Sequence, residues 1–250
     1  MQAQETAAKI INSLGFNVIR TECHEIGLSY QVYEVTTIEK SFIIRFSTDF
    51  FLFNSYINWL NILNDCGISS PKILYRGDYY IVYEKLPGKP LNKVNEISRF
   101  GEQMLDIHKK LTIIGSKDTF GLAEYFEEKL FDCWEDFLLA KMSVLNIKVH
   151  DIVRKRIERL KPVIYAKPFL LLEHEQILVS NKSLTIIGVD KMGFGDIAML
   201  SGKLMAQAKI HNLKYEPVLQ LNETFGISME TCRTYASLEM FGNEDLIFDL

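Results

Sequence analysis

Phe169-Leu-Leu-Leu-Glu-His-Glu-Gln-Ile-Leu-Val179, followed by Leu184-Thr-Ile-Ile-Gly-Val-Asp190, is the stretch of sequence that decides the fold. Two short apolar runs separated by a few turn-forming residues predict a β-hairpin. A carboxylate at the end of an apolar strand must be paired, capped or metal-bound, because a buried unpaired charge is unfavourable. Asp190 is therefore the strongest candidate for an ionic role, and a turn cap is the structural alternative.

The same stretch resembles the active-site region of the aminoglycoside and choline phosphotransferases, a kinase-like family. Their motif is a His-Gly-Asp, an Asn five residues after the Asp, an Ile-Leu-Val strand, and a second strand that ends in a metal-binding Asp. Aligned on this sequence, the His-Gly-Asp falls on Phe169, Leu170 and Leu171, and the Asn falls on Gln176. Only the last Asp is kept, at Asp190.

The substituted positions are those that carry the chemistry in the family. The loop Asp accepts the proton of the substrate hydroxyl, the Asn helps to hold a metal, and the second Asp joins metal to phosphate oxygens. Leu171 can neither accept a proton nor bind a cation. Glu173 and Glu175, with His174 between them, lie in this loop and could act as a displaced general base. Because they lie beyond the usual position, we interpret them as solvated loop charges.

Further landmarks of the family occur in the same order from about Gly15 to the C-terminus. Residues 84–91 resemble the hinge motif of the family. Residues 105–108 resemble its Leu-x-x-Leu-His motif at the end of a helix, and residues 119–121 resemble its Phe-Gly loop. His108 itself we interpret as a packed, hydrogen-bonded core histidine. Asp196 matches a Gly-Asp step whose Asp braces the active-site loops, so we expect a structural role for it.

Local patterns favour a β-rich first half and a mainly helical second half. Apolar spacing and turn residues predict helices over residues 5–14 and 49–64, and strands over 17–20, 30–36, 42–46, 69–75 and 79–83. The second half reads as helices over 97–111, 122–142 and 150–160, with one hairpin over 177–190. We therefore predict an α+β, two-lobed kinase-like fold. Its parts are an antiparallel β-rich N-terminal lobe (1–84), a hinge (85–91) and a helical C-terminal lobe (92–250) with a catalytic-loop-like hairpin at 169–196.

The resemblance implies ATP and Mg²⁺ as cofactors, with weak or absent binding. Gly27 and Ser29 lie where a phosphate-covering loop would offer backbone amides, although a plain hairpin turn is equally compatible with the sequence. Arg45 takes the place of the lysine that pairs with the phosphates, and the alternative is an edge-strand arginine in solvent. Glu84 begins the hinge phrase and is the fourth predicted cofactor-binding residue. No acidic residue lies within 50–64 to orient Arg45.

The metal ligands that the resemblance implies are Asp190 and Gln176. Mg²⁺ is held by one or two carboxylates together with phosphate oxygens and waters. One aspartate could therefore suffice for weak binding, and an amide oxygen is a poor second ligand.

The composition of the chain excludes several classes of protein. The chain has 250 residues, 48% of them hydrophobic, and a net charge of −4, which predicts a globular protein without affinity for nucleic acid. No apolar run is long enough to span a membrane and the first residues do not resemble a signal peptide, so we expect a cytoplasmic protein. The four cysteines are far apart, which favours reduced thiols.

Three functions remain open from the sequence. The first is a pseudokinase that lacks the loop Asp and Asn and binds a small molecule or a protein partner without transferring phosphate. The second is an active ATP-dependent small-molecule phosphotransferase that uses Asp190, Arg45 and a relocated carboxylate such as Glu173. The third sets the resemblance aside and keeps a helical ligand-binding protein with an attached β-domain.

Overall fold

The computed structural model describes residues 2–27, 29–91, 101–114, 120–122, 131–144, 154–155, 157–158, 160, 167–170, 176–180, 183–190, 192–210, 212 and 214–240. The chain divides into two compact units, Met1–Asp65 with Ser69–Gly88, and Cys66–Ile68 with Lys89–Leu250. The change of unit at Gly88 falls within residues 85–91, whose role as a hinge stays a prediction. None of the helices in these ranges combines the length and apolar character that a bilayer crossing requires.

The first unit is a five-stranded antiparallel sheet with two helices. Its elements are α1 (Gln2–Ser13), β1 (Val18–Ile26), β2 (Tyr30–Thr37), β3 (Ser41–Ser47), α2 (Phe50–Asp65), β4 (Ile73–Arg76) and β5 (Tyr80–Glu84). The strand order is β1-β2-β3-β5-β4, so β3 is the central strand. Strands β2 and β3 match the predicted ranges to within a residue at each end.

The two faces of this sheet have different surroundings. On one face, Phe42 and Ile44 of β3 pack with Ala7 and Ile11 of α1 in a cluster of fully buried side chains. Successive side chains of a strand point to opposite faces, so Arg45 lies on the other face. The first half of the chain thus places one cationic side chain at the centre of the sheet, away from the α1 core.

The second unit contains five helices and two small sheets among the residues that the structure describes. Its elements are β6 (Lys89–Pro90), α3 (Gly101–Leu111), β7 (Gly121–Leu122), α4 (Trp134–Val144), β8 (Lys167–Leu170), β9 (Ile177–Ser180), β10 (Ser183–Ile186), β11 (Met192–Gly195), α5 (Ala198–Ile210), α6 (Glu216–Phe225) and α7 (Met229–Glu239). The sheets have the orders β10-β9-β6 and β7-β11-β8. Strands β9 and β10 form the predicted hairpin, with Ile177 opposite Ile186.

Three predicted elements need correction. The helix predicted over 122–142 is wrong in its first part, because Leu122 pairs with Gly193 in a strand and α4 begins only at Trp134. Leu122 pairs with a distant strand and Phe131 bridges to Phe120, which sequence spacing alone does not reveal. Strand β1 is longer than predicted and β4 shorter. The helix predicted over 150–160 lies largely outside the described residues. The α+β class itself is confirmed.

Candidate functional site

Arg45 is held between two tyrosine rings in the first unit. Its guanidinium carbon lies 3.8 Å from the ring centre of Tyr30 and 4.1 Å from that of Tyr56, and the residue is 8% exposed. Stacking on aromatic faces stabilises a guanidinium. Tyr30 and Tyr56 around Arg45 are called the tyrosine clamp below. The alternative of an edge-strand arginine in solvent was wrong, because β3 is central and Arg45 is buried.

Gly27 allows the ring of Tyr30 to adopt this position. A Cβ atom at Gly27 would lie only 2.7 Å from Cε1 and 2.8 Å from Cζ of Tyr30, so the ring lies directly against the glycine. The hydroxyl group of Tyr30 donates a hydrogen bond to the carboxylate of Glu25. Gly27 thus contacts the ring of Tyr30, and the rings of Tyr30 and Tyr56 both contact the guanidinium of Arg45; these four residues are called the stack below.

The connection between β1 and β2 is fastened to the end of β3. The amide of Gly27 donates to the carbonyl of Tyr30 at 2.8 Å, and the carbonyl of Ser29 accepts from the amide of Thr48 at 2.9 Å and from Oγ of Ser47 at 3.1 Å. A phosphate oxygen bound by Gly27 would have to displace its existing bond. The predicted roles of Gly27 and Ser29 in cofactor binding stay predictions.

A buried carboxylate, Glu34, lies on the same face of the sheet as Arg45. It is directly opposite Ile43, two residues before Arg45, and it is 7% exposed. Both of its oxygens accept from Nζ of Lys85 at 2.7 Å, and one lies 2.7 Å from Nε2 of His24. Burial raises the pKa of Glu34, but the hydrogen bonds from Lys85 and His24 outweigh it and lower the pKa overall.

Glu84 ends β5 and is half-exposed. One of its carboxylate oxygens lies 3.0 Å from Nζ of Lys40, and its backbone is paired with Phe42 of β3. A cofactor bound through this carboxylate would compete with Lys40. Its predicted role as a cofactor-binding residue stays a prediction.

Gln176, one of the two predicted metal ligands, contacts residues that shortly precede the other, Asp190. The carbonyl of Gln176 accepts from the amide of Ile187 at 2.8 Å, and a Cβ at Gly188 would lie 2.6 Å from Cγ of Gln176. The side chain of Gln176 therefore packs on Gly188, two residues before Asp190. Strand β10 ends at Ile186, so Asp190 is a turn residue and does not end the strand as expected. Metal binding by Gln176 and Asp190 stays a prediction.

Asp196 anchors the start of α5, in agreement with the structural role expected for it. Its Oδ1 accepts from the amide of Ala198 at 2.9 Å, and its Oδ2 accepts from the hydroxyl of Tyr235 at 2.8 Å. Nε1 of Trp134 donates to the same hydroxyl group at 2.6 Å. Burial, followed by the negative charge of Asp196, raises the pKa of Tyr235.

The substituted loop falls outside the described residues. Strand β8 ends at Leu170 and pairs with β11, with Phe169 opposite Gly193. Leu171, Glu173, His174 and Glu175 follow in the undescribed part of the chain. Burial of Leu171 and the two glutamates as displaced bases therefore stay predictions.

Three of the residues predicted to hold a nucleotide, Gly27, Arg45 and Glu84, already have contacts within the protein. No group of three or more metal-binding side chains (His, Cys, Asp or Glu) occurs within the described ranges. Two tyrosine rings contact the guanidinium of Arg45, the amide of Gly27 donates to a carbonyl, and the carboxylate of Glu84 is paired with Lys40. Sequence reasoning missed Tyr30, Tyr56 and Glu34. The only available signal was that Tyr30 lies in the connection where a phosphate-covering loop was expected.

Comparison with protein-family models gives no match, and comparison with curated proteins gives none either. Solved structures do match over nearly the whole chain. The apo form of a thermostable mutant of aminoglycoside phosphotransferase APH(4)-Ia aligns with a TM-score of 0.66 at 11% identity, over 96% of this chain and 93% of that chain. Macrolide 2'-phosphotransferase MphH from Brachybacterium faecium aligns with a TM-score of 0.67 at 12% identity, over 98% and 93%.

A putative fructosamine-3-kinase from Haemophilus somnus also aligns, with a TM-score of 0.62 at 12% identity, over 99% of this chain and 90% of that chain. The phosphotransferase APH(4)-Ia has also been solved as a ternary complex with AMP-PNP and hygromycin B. Identities this low establish the fold and leave activity undecided. The kinase-like fold predicted from the sequence is confirmed.

Proposed function

We propose that this chain, which has the kinase-like fold of the aminoglycoside phosphotransferases, is a binding protein that transfers no phosphate. The observation that supports this most strongly is the tyrosine clamp. In kinases the cation at this strand pairs with the phosphates of the nucleotide. Here the corresponding guanidinium is buried between two rings of the protein itself.

The substitutions at the catalytic positions of the family support the same proposal. Transfer depends almost entirely on positioning and on electrostatic stabilisation by a base, metal ligands and cations acting together. Leu171 and Gln176 stand where the resemblance expects the base and a metal ligand. Because these groups act as one assembly, their joint loss removes more activity than either loss alone.

The fold itself supports a role in binding. In a solved structure with this fold, the protein APH(4)-Ia holds AMP-PNP and hygromycin B together. We propose that the present chain uses the same fold to bind a small molecule or a protein partner. ATP and Mg²⁺ bind to it weakly or not at all.

A second candidate is an active small-molecule phosphotransferase. The contact between Gln176 and Gly188 favours it, because it packs the side chain of Gln176 against a residue two positions before Asp190. Glu173 or Glu175 would then serve as the base. This alternative requires the ring of Tyr30 to move away from Arg45 when nucleotide binds.

Turnover of ATP by the purified chain tests the proposal. We expect no acceptor-dependent ADP production above background across a panel of amino alcohols and aminoglycosides, and no change on Asp190→Ala. A matched control is Asp65→Ala, which removes an exposed carboxylate of α2. Robust acceptor-dependent ADP production that Asp190→Ala abolishes and Asp65→Ala preserves would overturn the proposal in favour of the active enzyme.

A further inference from the structure

We infer that β4, an edge strand of the five-stranded sheet, is a self-association surface that pairs with β4 of a second copy of this chain. Among the described strands β4 pairs with β5 alone, so the other side of β4 is an open edge. An aromatic row that reaches this edge and the charges on either side of it point to a second copy as the partner. Self-association is independent of the proposed function, because every residue involved lies in the first unit.

The backbone of β4 has hydrogen-bonding groups that point to the open edge. The amide of Gly77 donates to the carbonyl of Tyr80 at 2.8 Å, so these two residues form a hydrogen-bonded pair where the β4–β5 hairpin turns. Hydrogen-bonded and non-hydrogen-bonded pairs alternate along an antiparallel ladder, and the next pair is Arg76 with Ile81. The N–H and C=O groups of Arg76 therefore point away from β5, where an added strand can bind them.

The two edges of the sheet differ in how they are protected from added strands. Three of the nine residues of β1, the other edge, are arginine or glutamate, and β1 has two irregularities of register. Charges and bulges of this kind discourage pairing with another chain. Strand β4 has one irregularity, before Tyr75, and one charged residue, Arg76, whereas Leu74 and Tyr75 are exposed. Strand β4 is thus the less protected edge, and its four residues limit the strength of the pairing.

A row of four aromatic side chains crosses the sheet on the face that packs with α1 and ends at the open edge. The ring centres of Tyr33 and Phe46 lie 5.9 Å apart, and those of Phe46 and Tyr80 lie 5.8 Å apart. Tyr75 continues the row at 6.0 Å from Tyr80. Such distances are typical of favourable contacts between aromatic rings. Because Tyr33 is buried and Tyr75 is 43% exposed, the row presents its last ring to a partner at the edge.

Charge selects one register for the pairing of two copies. Opposite residues must lie on the same face of a continuous sheet, so a two-fold axis at the exposed part of β4 passes through Leu74, Tyr75 or Arg76. An axis at Leu74 places Lys72 opposite Arg76 of the second copy, and an axis at Arg76 places two arginines opposite each other. Like charges directly opposite are destabilising. Only the axis at Tyr75 avoids both, and it places the exposed Lys72 opposite the exposed Asp78 of the second copy.

This register also joins the aromatic rows of the two copies. Because the backbone groups of Arg76 point to the open edge, those of the preceding Tyr75 point toward β5. The two Tyr75 residues then form a non-hydrogen-bonded pair across the axis, with Cα atoms about 4.5 Å apart. Side chains of such a pair contact each other, so the two rows become one. An ion pair between Lys72 and Asp78 lies on each side of this contact.

Sedimentation velocity of the full-length chain from about 1 to about 300 µM tests the inference, because small interfaces have dissociation constants in this range. We expect a reversible monomer–dimer equilibrium. Asp78→Lys places two lysines opposite each other on both sides of the axis and should weaken the dimer by roughly tenfold or more. The double variant Lys72→Asp/Asp78→Lys exchanges the charges and should restore the dimer. Asp65→Lys makes the same change of charge at an exposed residue of α2 and is the matched control.

Tyr75→Lys provides a second variant that acts at the axis itself. It places two lysines opposite each other and removes the joining rings, so we expect a monomer at all concentrations. Ile38→Lys, at an exposed apolar residue between β2 and β3, should leave the dimer unchanged. Circular dichroism shows whether each variant is folded, and Asp78→Lys decides the test if Tyr75→Lys is not.

Three outcomes would overturn the inference. They are a monomeric unmodified chain over the whole concentration range, a dimer that a folded Tyr75→Lys variant retains, and a charge exchange that fails to restore the dimer lost in Asp78→Lys. None of them depends on ATP turnover, so the inference and the proposed function fail separately.

Discussion

The hydroxyl group of Tyr235, in the middle of α7, donates a hydrogen bond to the carboxylate of Asp196, which lies two residues before the start of α5. The same hydroxyl accepts from the indole of Trp134, at the start of α4. One phenol group therefore joins three helices of the second unit. Sequence reasoning assigned Asp196 a structural role, and the structure supplies the partners that it braces.

Removing this hydroxyl group should destabilise the protein. Tyr235→Phe leaves the ring in place but deprives the Trp134 indole of its acceptor and Asp196 of one donor. Unsatisfied buried polar groups cost about 1–3 kcal/mol, so we expect a loss of that size in the free energy of unfolding. Chemical denaturation measures it. Tyr79→Phe, at a residue that is 54% exposed, should change stability by less than about 0.5 kcal/mol. Equal effects of the two substitutions would contradict the prediction.

Gly202→Ala should also destabilise, against the trend of helix propensity. In an open helix this change stabilises by about 1 kcal/mol. At Gly202 the new Cβ would lie 2.2 Å from Cβ of Tyr235 and 2.7 Å from its backbone carbonyl carbon, so α5 and α7 must separate. We expect a net loss of about 1–3 kcal/mol, larger for Gly202→Ser. Thermal and chemical denaturation of the series measure it, and an unchanged or raised stability of Gly202→Ala would disprove the close approach of the helices.

His108 should make the stability of the second unit sensitive to acid. Burial lowers its pKa from 6.5 to about 4, although the hydrogen bond to the carbonyl of Met104 acts in the opposite direction. Between these values the unfolded chain binds a proton that the folded chain does not, so stability falls as pH drops below 6.5. The difference amounts to on the order of 3 kcal/mol when fully developed.

Denaturation of the unmodified chain and of His108→Leu between pH 7 and 4.5 checks this effect. The variant should lose stability less steeply, because the titrating group is gone. Other groups, such as Glu34 with its lowered pKa, also favour unfolding in acid, so the difference between the two curves is the quantity to compare. If the two curves of stability against pH were parallel, His108 would take up its proton in the folded protein, and the prediction would be wrong.

Restoring the family's aspartate should not restore activity. Leu171→Asp alone would still have glutamine at 176 and Arg45 in the tyrosine clamp, and proton acceptance and metal binding act as one assembly. We expect ADP production no higher than that of the unmodified chain and a lower melting temperature, since a charge placed in an apolar run is unfavourable. Acceptor-dependent turnover by this single variant would show that the rest of the site is intact.

The local sequence pattern was sufficient to predict those elements whose contacts are local. The strands over 30–37 and 41–47 and the apolar face of α1 follow from alternation and helical spacing. The stretch around 120–131 misled the prediction because Phe120 pairs with Phe131 and Leu122 pairs with Gly193, partners that spacing does not specify.

The sequence predicted where the candidate site lies, but it did not predict how the side chains around Arg45 are arranged. The order of the family's motifs along the sequence located Arg45 on the strand that carries the phosphate-binding cation in that family. The stack depends on the register between β2 and β3 and on the docking of α2, which bring Tyr30 and Tyr56 to one side chain. Glu34 escaped notice because a glutamate in an alternating strand normally reads as solvent-facing.

The strand order of the two units has a consequence for how the chain folds. In the first unit β1, β2 and β3 pair in sequence order through short turns, which lowers the entropy cost of closing each loop. In the second unit, β11 must find β7 and β8 across long stretches of chain before its sheet exists. The stack around Arg45 should therefore form early in refolding, while the sheet beside the substituted loop forms late, and exchange of backbone amide hydrogens during refolding would resolve the two stages.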